Sequence, residues 1–385
     1  MASAPREACI AGVGMTPFGR HASRSLARLG ADACLEAVRE SGIELSGIQA
    51  LYCGNALGPL VQGETGVGQS VMIELGMRAI PVFNVENACA SGATALHLAW
   101  RDVAWGMHDV VLVVGLDKGV MPKGTVLKAG ITQIEAQLGD IFPGLFAIIA
   151  QRHMAVHGTT LEQMAQVSVK NHAHGALNPL AQFNKRVTLE EVLASPLIAD
   201  PITLFSCCPN SDGAAAVVVC NRKRLAQGPV PVIAASVLTS GDFLPTRDLT
   251  FWESECRAVG AAYEAAMVGP EDLDLVEVHD AFTIAEIIHC ESIGLCPPGM
   301  GGPLVMSGAT SLGGRIPVNP SGGLLARGHP PGASGIAQIA EIAWQLRGQA
   351  GARQIPGARV GLAQIMGGSK GNDAQAGAIH ILVAS

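Results

Sequence analysis

The chain has 385 residues with a formal net charge of −7, and 49% of the residues are hydrophobic. This length exceeds what one minimal core needs, so we expect at least two domain-like units. The negative charge argues against nucleic-acid binding, and the longest apolar runs fall short of the roughly 18 residues that a membrane span requires. The ten cysteines contain no CxxC pair, so we predict no metal site. With no signal-peptide pattern, we predict reduced thiols and a cytoplasmic location.

The first half of the chain alternates between predicted strands and helices. A strand over Ala8–Gly14 precedes a helix over Leu26–Ser41, which ends at Gly42 because glycine readily terminates a helix. The other elements predicted here are a strand at Ile48–Cys53, a helix at Thr65–Leu75, a buried strand at Pro81–Val85, a helix ending at Trp105 and a strand at Asp109–Leu116. From about residue 117 to 205 the pattern changes, and we predict an insertion with helices at Gly144–His157 and Thr160–His174.

The second half repeats the order of the first. After a buried strand at Ser211–Val219, the predicted elements are a strand at Ile233–Val237, a helix at Phe251–Met267, a strand at Leu273–His279, a small-residue helix at Gly332–Leu346 and a strand at Val360–Ile365. This repetition predicts two pseudo-duplicated halves of a layered α/β fold. We place the halves at residues 1–230 and 231–385.

Cys89 lies at a sharp turn between a predicted strand and a helix of small residues. The unpaired N–H groups and the positive end of a helix lower a thiol's pKa, and the thiolate is the nucleophile. A tight turn also directs a backbone N–H at a developing oxyanion. We therefore predict that Cys89 is a nucleophile, although a lone cysteine in such a place is more often structural.

Two histidines and a glycine turn are predicted at the same rim of the sheet. His279 ends a strand, His329 lies in a glycine turn before a helix, and Met366-Gly367-Gly368 follows the last parallel strand. Ligands bind at the carboxyl ends of strands in open α/β sheets. A thiol beside an imidazole is the usual arrangement of an activated nucleophile, so these residues predict cysteine-based catalysis.

Together these motifs resemble those of the thiolase superfamily, in particular the sterol-carrier-protein-type thiolases. The resemblance covers nearly the whole chain. It is carried by NACASGATAL around Cys89, KNHAHGALNPLAQF (170–183), LFSCCPNSDGAAA (204–216), VHDAF (278–282), GLCPPG (294–299) and NPSGGLLARGHPPGASG (319–335). It implies a five-layered αβαβα fold of two βαβαβαββ halves, with a loop domain inserted in the first half at about 117–205. It also implies a homodimer or tetramer that acts on acyl-CoA, with coenzyme A as substrate and no permanently bound cofactor.

The resemblance also implies roles for individual residues. Cys89 would be the acylated nucleophile and His329 the base that activates it. His279 takes the place that Asn holds in the commonest thiolases, and with His329 it would bind the thioester oxygen. The N–H groups of Cys89 and Gly368 would form a second oxyanion hole. The CoA phosphates would face cations of the loop domain, for which the candidates are Lys123, Lys128, Lys170, Lys185 and Arg186.

The sequence departs from the family at the group that moves the proton on the α-carbon. Thiolases usually carry a second cysteine in a Cys-x-Gly turn, where this chain has Met366. Some sterol-carrier-protein-type thiolases have a cysteine in a His-Asp-Cys-Phe stretch, where this chain has Ala281. A thioether has no ionisable proton, so the role falls to His279, to Cys296 or to a residue of the loop domain.

We interpret the chain as an acyl-CoA C-acyltransferase that cleaves or forms a β-ketoacyl-CoA through an acyl-cysteine. One alternative is a thiolase-fold subunit of a specialised thiolase or retro-aldolase. Such a subunit would act on an aromatic or steroid-derived acyl-CoA with an OB-fold, zinc-ribbon accessory protein. An alternative of another class is a non-catalytic scaffold that binds CoA. The presence of Cys89, His279 and His329 disfavours the scaffold, which does not need all three.

Overall fold

The computed structural model describes residues 5–120, 137, 139, 141–225, 228–243, 248–370 and 373–385. The strands are β1 (Ala8–Met15), β2 (Leu51–Gly54), β3 (Val82–Val85), β4 (Val110–Lys118), β5 (Leu197–Ala199), β6 (Ile202–Thr203), β7 (Asp212–Asn221), β8 (Pro231–Thr239), β9 (Leu275–Glu277), β10 (Val360–Lys370) and β11 (Asp373–Ala384). The helices are α1 (Leu26–Ser41), α2 (Val67–Glu74), α3 (Ser91–Ala104), α4 (Phe142–His157), α5 (Leu161–Gly175), α6 (Leu189–Leu193), α7 (Glu253–Ala266), α8 (Thr283–Ser292), α9 (Gly301–Met306), α10 (Gly323–Arg327) and α11 (Pro331–Leu346).

The sheet topology confirms the predicted duplication. Nine strands lie in the order β3-β2-β4-β7-β1-β8-β11-β10-β9. In the first half β2 runs parallel to β3 and β4, and β7 runs antiparallel to β4 and β1. In the second half β9 runs parallel to β10, and β11 runs antiparallel to β10 and β8. A parallel bridge between Val276 and Val318 occupies the position that β3 holds in the first half. The two halves meet at β1 and β8, which are bridged at Cys9 and Val232.

The helices form three layers around the two halves of the sheet. Between them, α3 and α11 pack against each other, and the contact is close because a Cβ on Gly92 would lie 2.3 Å from the carbonyl oxygen of Gly332. On the outer faces, α1 and α2 cover the first half of the sheet, whereas α7 and α8 cover the second. This αβαβα arrangement is the five-layered fold that the resemblance implies. No helix among the described residues is long and apolar enough to span a membrane.

Two further features of the fold are the segment inserted between β4 and β7 and the edge strand β3. Helices α4, α5 and α6 and the β5–β6 hairpin lie between β4 and β7, as predicted, and α5 packs on α8, α9 and α10 of the second half. Thr160 begins α5 with a capping box that includes Gln163. The prediction of a buried strand at Pro81–Val85 is wrong, because β3 is an edge strand on which Phe83 and Asn84 are exposed.

Candidate active site

Cys89 lies in the turn that joins β3 to α3, as predicted. Ala88 adopts the left-handed region with a φ of 49°, a conformation that costs an L-residue about 1–2 kcal/mol. Ser91 holds this turn in place, because its Oγ donates to Ala88 O at 2.6 Å and accepts from Asn87 N at 2.9 Å. The strained turn therefore presents Cys89 immediately before the first turn of α3.

The ring of His329 reaches the sulfur of Cys89. Nε2 of His329 lies 3.3 Å from Cys89 Sγ, and Nδ1 lies 2.7 Å from Ser334 Oγ. The Ser334 hydroxyl donates to Pro330 O at 2.9 Å, so its oxygen must accept a hydrogen bond from Nδ1–H. That tautomer leaves Nε2 without a proton and free to accept the proton of the thiol.

Backbone contacts hold the loop that carries His329. Its N–H donates to Ser211 Oγ at 2.9 Å, and the Ser211 hydroxyl donates to Gln182 Oε1 at 2.5 Å. At the start of α11, Gly332 N donates to the buried Asp117 at 2.6 Å, and Leu57 N donates to the same carboxylate at 2.8 Å. Asp117 thus ties a loop of the first half to the histidine loop of the second.

His279 lies against His329 at the end of β9. The two rings meet edge to face, with centroids 5.2 Å apart and an interplanar angle of 84°, and Nδ1 of His279 has no hydrogen-bond partner among the described residues. Ligand atoms of Cys89, His279 and His329 lie within 4.8 Å of one another. Such atoms could hold a zinc-like cation. The sequence analysis predicts no metal site, and that predicted absence stays a prediction. The carboxylate of Asp280, the next residue after His279, accepts a hydrogen bond from the backbone N–H of Leu324 at 2.6 Å.

The glycine turn of β10 lies against the Cys89 turn. A Cβ on Gly367 would lie 2.1 Å from Asn87 O, so only glycine fits, and Gly368 has a φ of +62°. The backbone N–H groups of Gly368 and of Cys89 itself both act to lower the pKa of the Cys89 thiol. Two such N–H groups next to the sulfur would suit a carbonyl oxygen on an acylated sulfur, and the oxyanion hole predicted for this pair stays a prediction.

Burial sets the charge of the thiol and of both imidazoles. Burial raises the pKa of Cys89 to about 12, and the two N–H groups at its sulfur lower it only in part. Burial, followed by the charge of Arg327, lowers the pKa of His329 to about 3. Burial also lowers the pKa of His279, with His329 and His289 as smaller causes. All three groups are therefore neutral at pH 7. The expectation that the helix lowers the thiol's pKa is wrong, because desolvation outweighs the N–H groups.

We expect alkylation of Cys89 by iodoacetamide to accelerate steadily from about pH 7 to about pH 10. Below a raised pKa, the thiolate fraction grows about tenfold for each pH unit, and the thiolate is the reactive form. Time courses of the Cys89 peptide, followed by mass spectrometry, measure the rate. A rate already maximal near pH 7 would contradict the neutral resting pair and indicate a thiolate–imidazolium pair.

A cavity of about 300 Å³ opens at Cys89. Much of its wall is apolar and is formed by Phe142, Leu145, Phe146, Ile149, Trp252 and Phe282. The rings of Phe146 and Phe282 stack with centroids 4.4 Å apart. Cys208 and His289 also line this cavity, and sequence reasoning singled out neither of them. The cavity suits an apolar acyl group attached to the sulfur.

The predicted cations do not gather at this cavity. The prediction for Lys170 is wrong, because its buried Nζ lies 3.0 Å from Glu286 Oε1 and donates to Val318 O at 2.8 Å. Lys170 is thus a structural partner of a buried carboxylate and does not face solvent. Lys185 and Arg186 are exposed and line a second cavity together with Gln182. Lys123 and Lys128 lie outside the described residues.

Family models match both halves of the chain. The model described as "Thiolase, N-terminal domain" matches residues 8–223, and "Thiolase C-terminal domain-like" matches residues 235–380. The chain belongs to the thiolase family. It is 41% identical to an acetyl-CoA acetyltransferase of Methanothermobacter thermautotrophicus, over 98% of this chain and 99% of the relative. It is also 41% identical to the benzoylsuccinyl-CoA thiolase subunit BbsB of Thauera aromatica, over 94% of this chain and 95% of the relative.

Solved structures agree with this assignment. The Ltp2-ChsH2(DUF35) aldolase superposes on this thiolase with a TM-score of 0.85 at 26% identity, over 99% of this chain and 98% of that chain. Human mitochondrial 3-ketoacyl-CoA thiolase superposes with a TM-score of 0.74 at 18% identity, over 99% of both chains, and shows the fold alone. With relatives named thiolase and acetyltransferase, the chain is an acyltransferase that acts on acyl-CoA.

Proposed function

We propose that this thiolase carries the acyl group on Cys89 while it cleaves or forms a β-ketoacyl-CoA. The observation that supports this role is the contact of 3.3 Å between His329 Nε2 and Cys89 Sγ, with Nδ1 held by Ser334. His329 takes the thiol proton as Sγ attacks the keto carbonyl, because both groups are neutral at rest. A preformed ion pair is not needed for this step, since the base and the nucleophile are already in contact.

Two sets of donors would stabilise the charge on oxygen. The N–H groups of Cys89 and Gly368 would bind the carbonyl oxygen of the acyl-enzyme. His279 and His329 would bind the thioester oxygen of the other substrate, and the unpartnered Nδ1 of His279 leaves its ring with hydrogen-bonding capacity to spare. Removing one such donor typically raises the barrier by about 3 kcal/mol.

The cavity wall supports an apolar acyl group that extends from Cys89 towards Phe146 and Phe282. An aromatic acyl group is a second candidate, because these two rings and Trp252 offer faces for stacking, and a relative at 41% identity is named a benzoylsuccinyl-CoA thiolase subunit. Lys185 and Arg186 are the remaining described candidates for the CoA phosphates. Their cavity is linked to the active site through Gln182, which accepts from Ser211 behind His329.

We also propose that the protein is a cytoplasmic homodimer or tetramer. Support for self-association comes from β3, an edge strand on which Phe83 is 41% exposed, since exposed apolar edges readily pair with another strand. Support for an accessory protein with an OB fold and a zinc ribbon comes from the names of two similar proteins. One relative is named as a subunit, and the aldolase that superposes on this chain is named together with a DUF35 component.

The test is a panel of aliphatic and aromatic β-ketoacyl-CoA substrates, offered to the purified chain with and without extract of the native host. We expect at least one of them to leave an acyl group on the protein and to be cleaved when free CoA is added. Intact-protein mass spectrometry detects the acyl group, and thioester absorbance measures cleavage. If no member acylates the chain under either condition, the scaffold alternative is favoured and the acyl-transfer proposal fails.

Replacing His279 with alanine is expected to lower kcat for thiolysis about 10²–10³-fold, as expected for the loss of one oxyanion donor. The matched variant is His279→Asn, which keeps an N–H donor and which we expect to retain most of the activity. Asparagine cannot transfer a proton at neutral pH, so the pair of variants separates hydrogen bonding from acid–base chemistry. Equal losses in both variants would indicate that His279 acts as a base.

A further inference from the structure

The proposed reaction needs a group that exchanges a proton with the α-carbon of the substrate. Met366 and Ala281, which line the cavity, have no ionisable proton. The ionisable side chains along the described wall of the cavity are Cys89, Cys207, Cys208, His279, His289, His329 and Asp373. Cys296 belongs instead to the apolar cluster between the second half of the sheet and its outer helices.

Most of these groups are engaged elsewhere. His329 is bound to the nucleophile, and Sγ of Cys207 donates to Thr203 O at 3.4 Å. His289 Nδ1 lies 2.8 and 3.0 Å from the two carboxylate oxygens of Glu255. Asp373 accepts from its neighbour Ala374 N and from Asp242 N at the rim of the cavity. His289 Nε2 has no hydrogen-bond partner among the described residues, so His279, His289 and Cys208 remain as candidates.

The backbone places the thiol of Cys208 beside the catalytic loop that carries His279. Cys208 N donates to Ala281 O at 2.9 Å, and Cys207 forms an antiparallel bridge with Phe282. In this register Cys208 lies opposite Ala281. Opposed residues of an antiparallel pair point to the same face, with Cβ atoms about 4.5–5.5 Å apart. Cys208 thus supplies a thiol directly across from a position that carries only a methyl group.

The surroundings of Cys208 suit a proton donor. Cys208 is partly buried and lines the same cavity as Cys89. Burial raises the pKa of Cys208, and the charges of Cys207 and Cys89 raise it further. The Cys208 thiol therefore holds its proton at neutral pH, and its thiolate, once formed, is a strong base.

We propose that Cys208 is the acid and base that moves the proton at the α-carbon. This inference rests on the acyl transfer proposed above. When Cys89 Sγ has attacked the keto carbon, the bond between the α- and β-carbons breaks and its electron pair goes to the α-carbon. The Cys208 thiol gives its proton to that carbon and releases the shorter acyl-CoA.

The second half of the cycle restores both sulfurs. Free CoA gives its thiol proton to the Cys208 thiolate, and the CoA thiolate attacks the acyl-Cys89 carbonyl. Cys89 leaves as a thiolate and takes back the proton that His329 accepted at the start. Atoms, charges and protons balance, and the step needs no oxidant, reductant or further reactant.

The experiment compares Cys208→Ala and the more conservative Cys208→Ser with the wild-type protein. The matched control is Cys290→Ala, which removes a buried thiol away from the described wall of the cavity. Two readouts are taken on each protein. The rate at which a simple acyl-CoA acylates Cys89 measures the reactivity of the nucleophile, because this reaction includes no proton transfer at the α-carbon. Exchange of the α-hydrogens of acetyl-CoA in deuterium oxide reports proton transfer at carbon.

We expect Cys208→Ala to lower the exchange and the thiolysis turnover at least about 100-fold and to leave acylation of the Cys89 thiol by a simple acyl-CoA within about threefold. Cys290→Ala is expected to stay within about threefold of wild type in both. Recovery of exchange on adding Met366→Cys to Cys208→Ala would support the assignment further. Should Cys208→Ala and Cys208→Ser both exchange at wild-type rates, or should wild-type protein acylate at Cys89 without exchange, the assignment is overturned. Failure of the wild-type protein to acylate at Cys89 overturns the proposed function instead.

Discussion

Replacing Cys89 with alanine is expected to abolish the acyl-enzyme and to lower thiolysis about 10⁴-fold or more, because the covalent route loses its nucleophile. Incubation with the best β-ketoacyl-CoA of the panel, followed by peptide mass spectrometry, locates the acyl group. In wild-type protein it should be found on the peptide that contains Cys89. In Cys89→Ala no acylated peptide is expected.

The control for this change is Cys296→Ser, which alters a partly buried cysteine of another apolar cluster. We expect it to form the acyl-enzyme at the wild-type level. An acyl group on Cys207 or Cys296 in the wild-type protein would contradict the assignment of the nucleophile. Substantial thiolysis by Cys89→Ala would contradict it equally.

Replacing His329 with alanine is expected to slow acylation of Cys89 about 10²–10⁴-fold, the range expected when a positioned general base is removed. Since burial holds the pKa of the thiol at about 12, the thiol has little reactivity at neutral pH without a base in contact. Alkylation near neutral pH should slow as well. Ser334→Ala removes the acceptor that orients His329 Nδ1 and should give a smaller loss.

Stopped-flow acylation and iodoacetamide time courses measure these losses. His108→Ala is the control, because His108 lies beyond the far end of α3 from Cys89, and we expect wild-type rates from it. Unchanged acylation and alkylation in His329→Ala would move the base to another residue, for which the first candidate is His279, with a ring nitrogen within 4.8 Å of the Cys89 sulfur. A loss in His329→Ala that disappears at high pH would support the assignment, because the thiolate then forms without help.

Local sequence was sufficient to predict the elements around the site. The spacing of apolar residues predicts α1 at its observed bounds, Leu26–Ser41. The small residues after Cys89 predict the tight turn, and the repeated order of strands and helices predicts the two halves that the topology shows. These features depend on contacts between near neighbours in the chain. The boundary of the halves at residues 230 and 231 stays a prediction.

The sequence alone therefore determined the duplicated α/β fold, the Cys89 turn and the arrival of His279 and His329 at one rim of the sheet. Only the tertiary structure decided which charges are buried and what each side chain touches. Lys170 is a structural residue because the fold pairs it with Glu286, which lies on a helix far along the chain. Cys208 is a candidate acid because its backbone lies opposite Ala281, next to the isolated bridge between Cys207 and Phe282. The pKa of Cys89 rose because the surrounding layers remove water, and the free energy of losing that solvation exceeds what two N–H groups return.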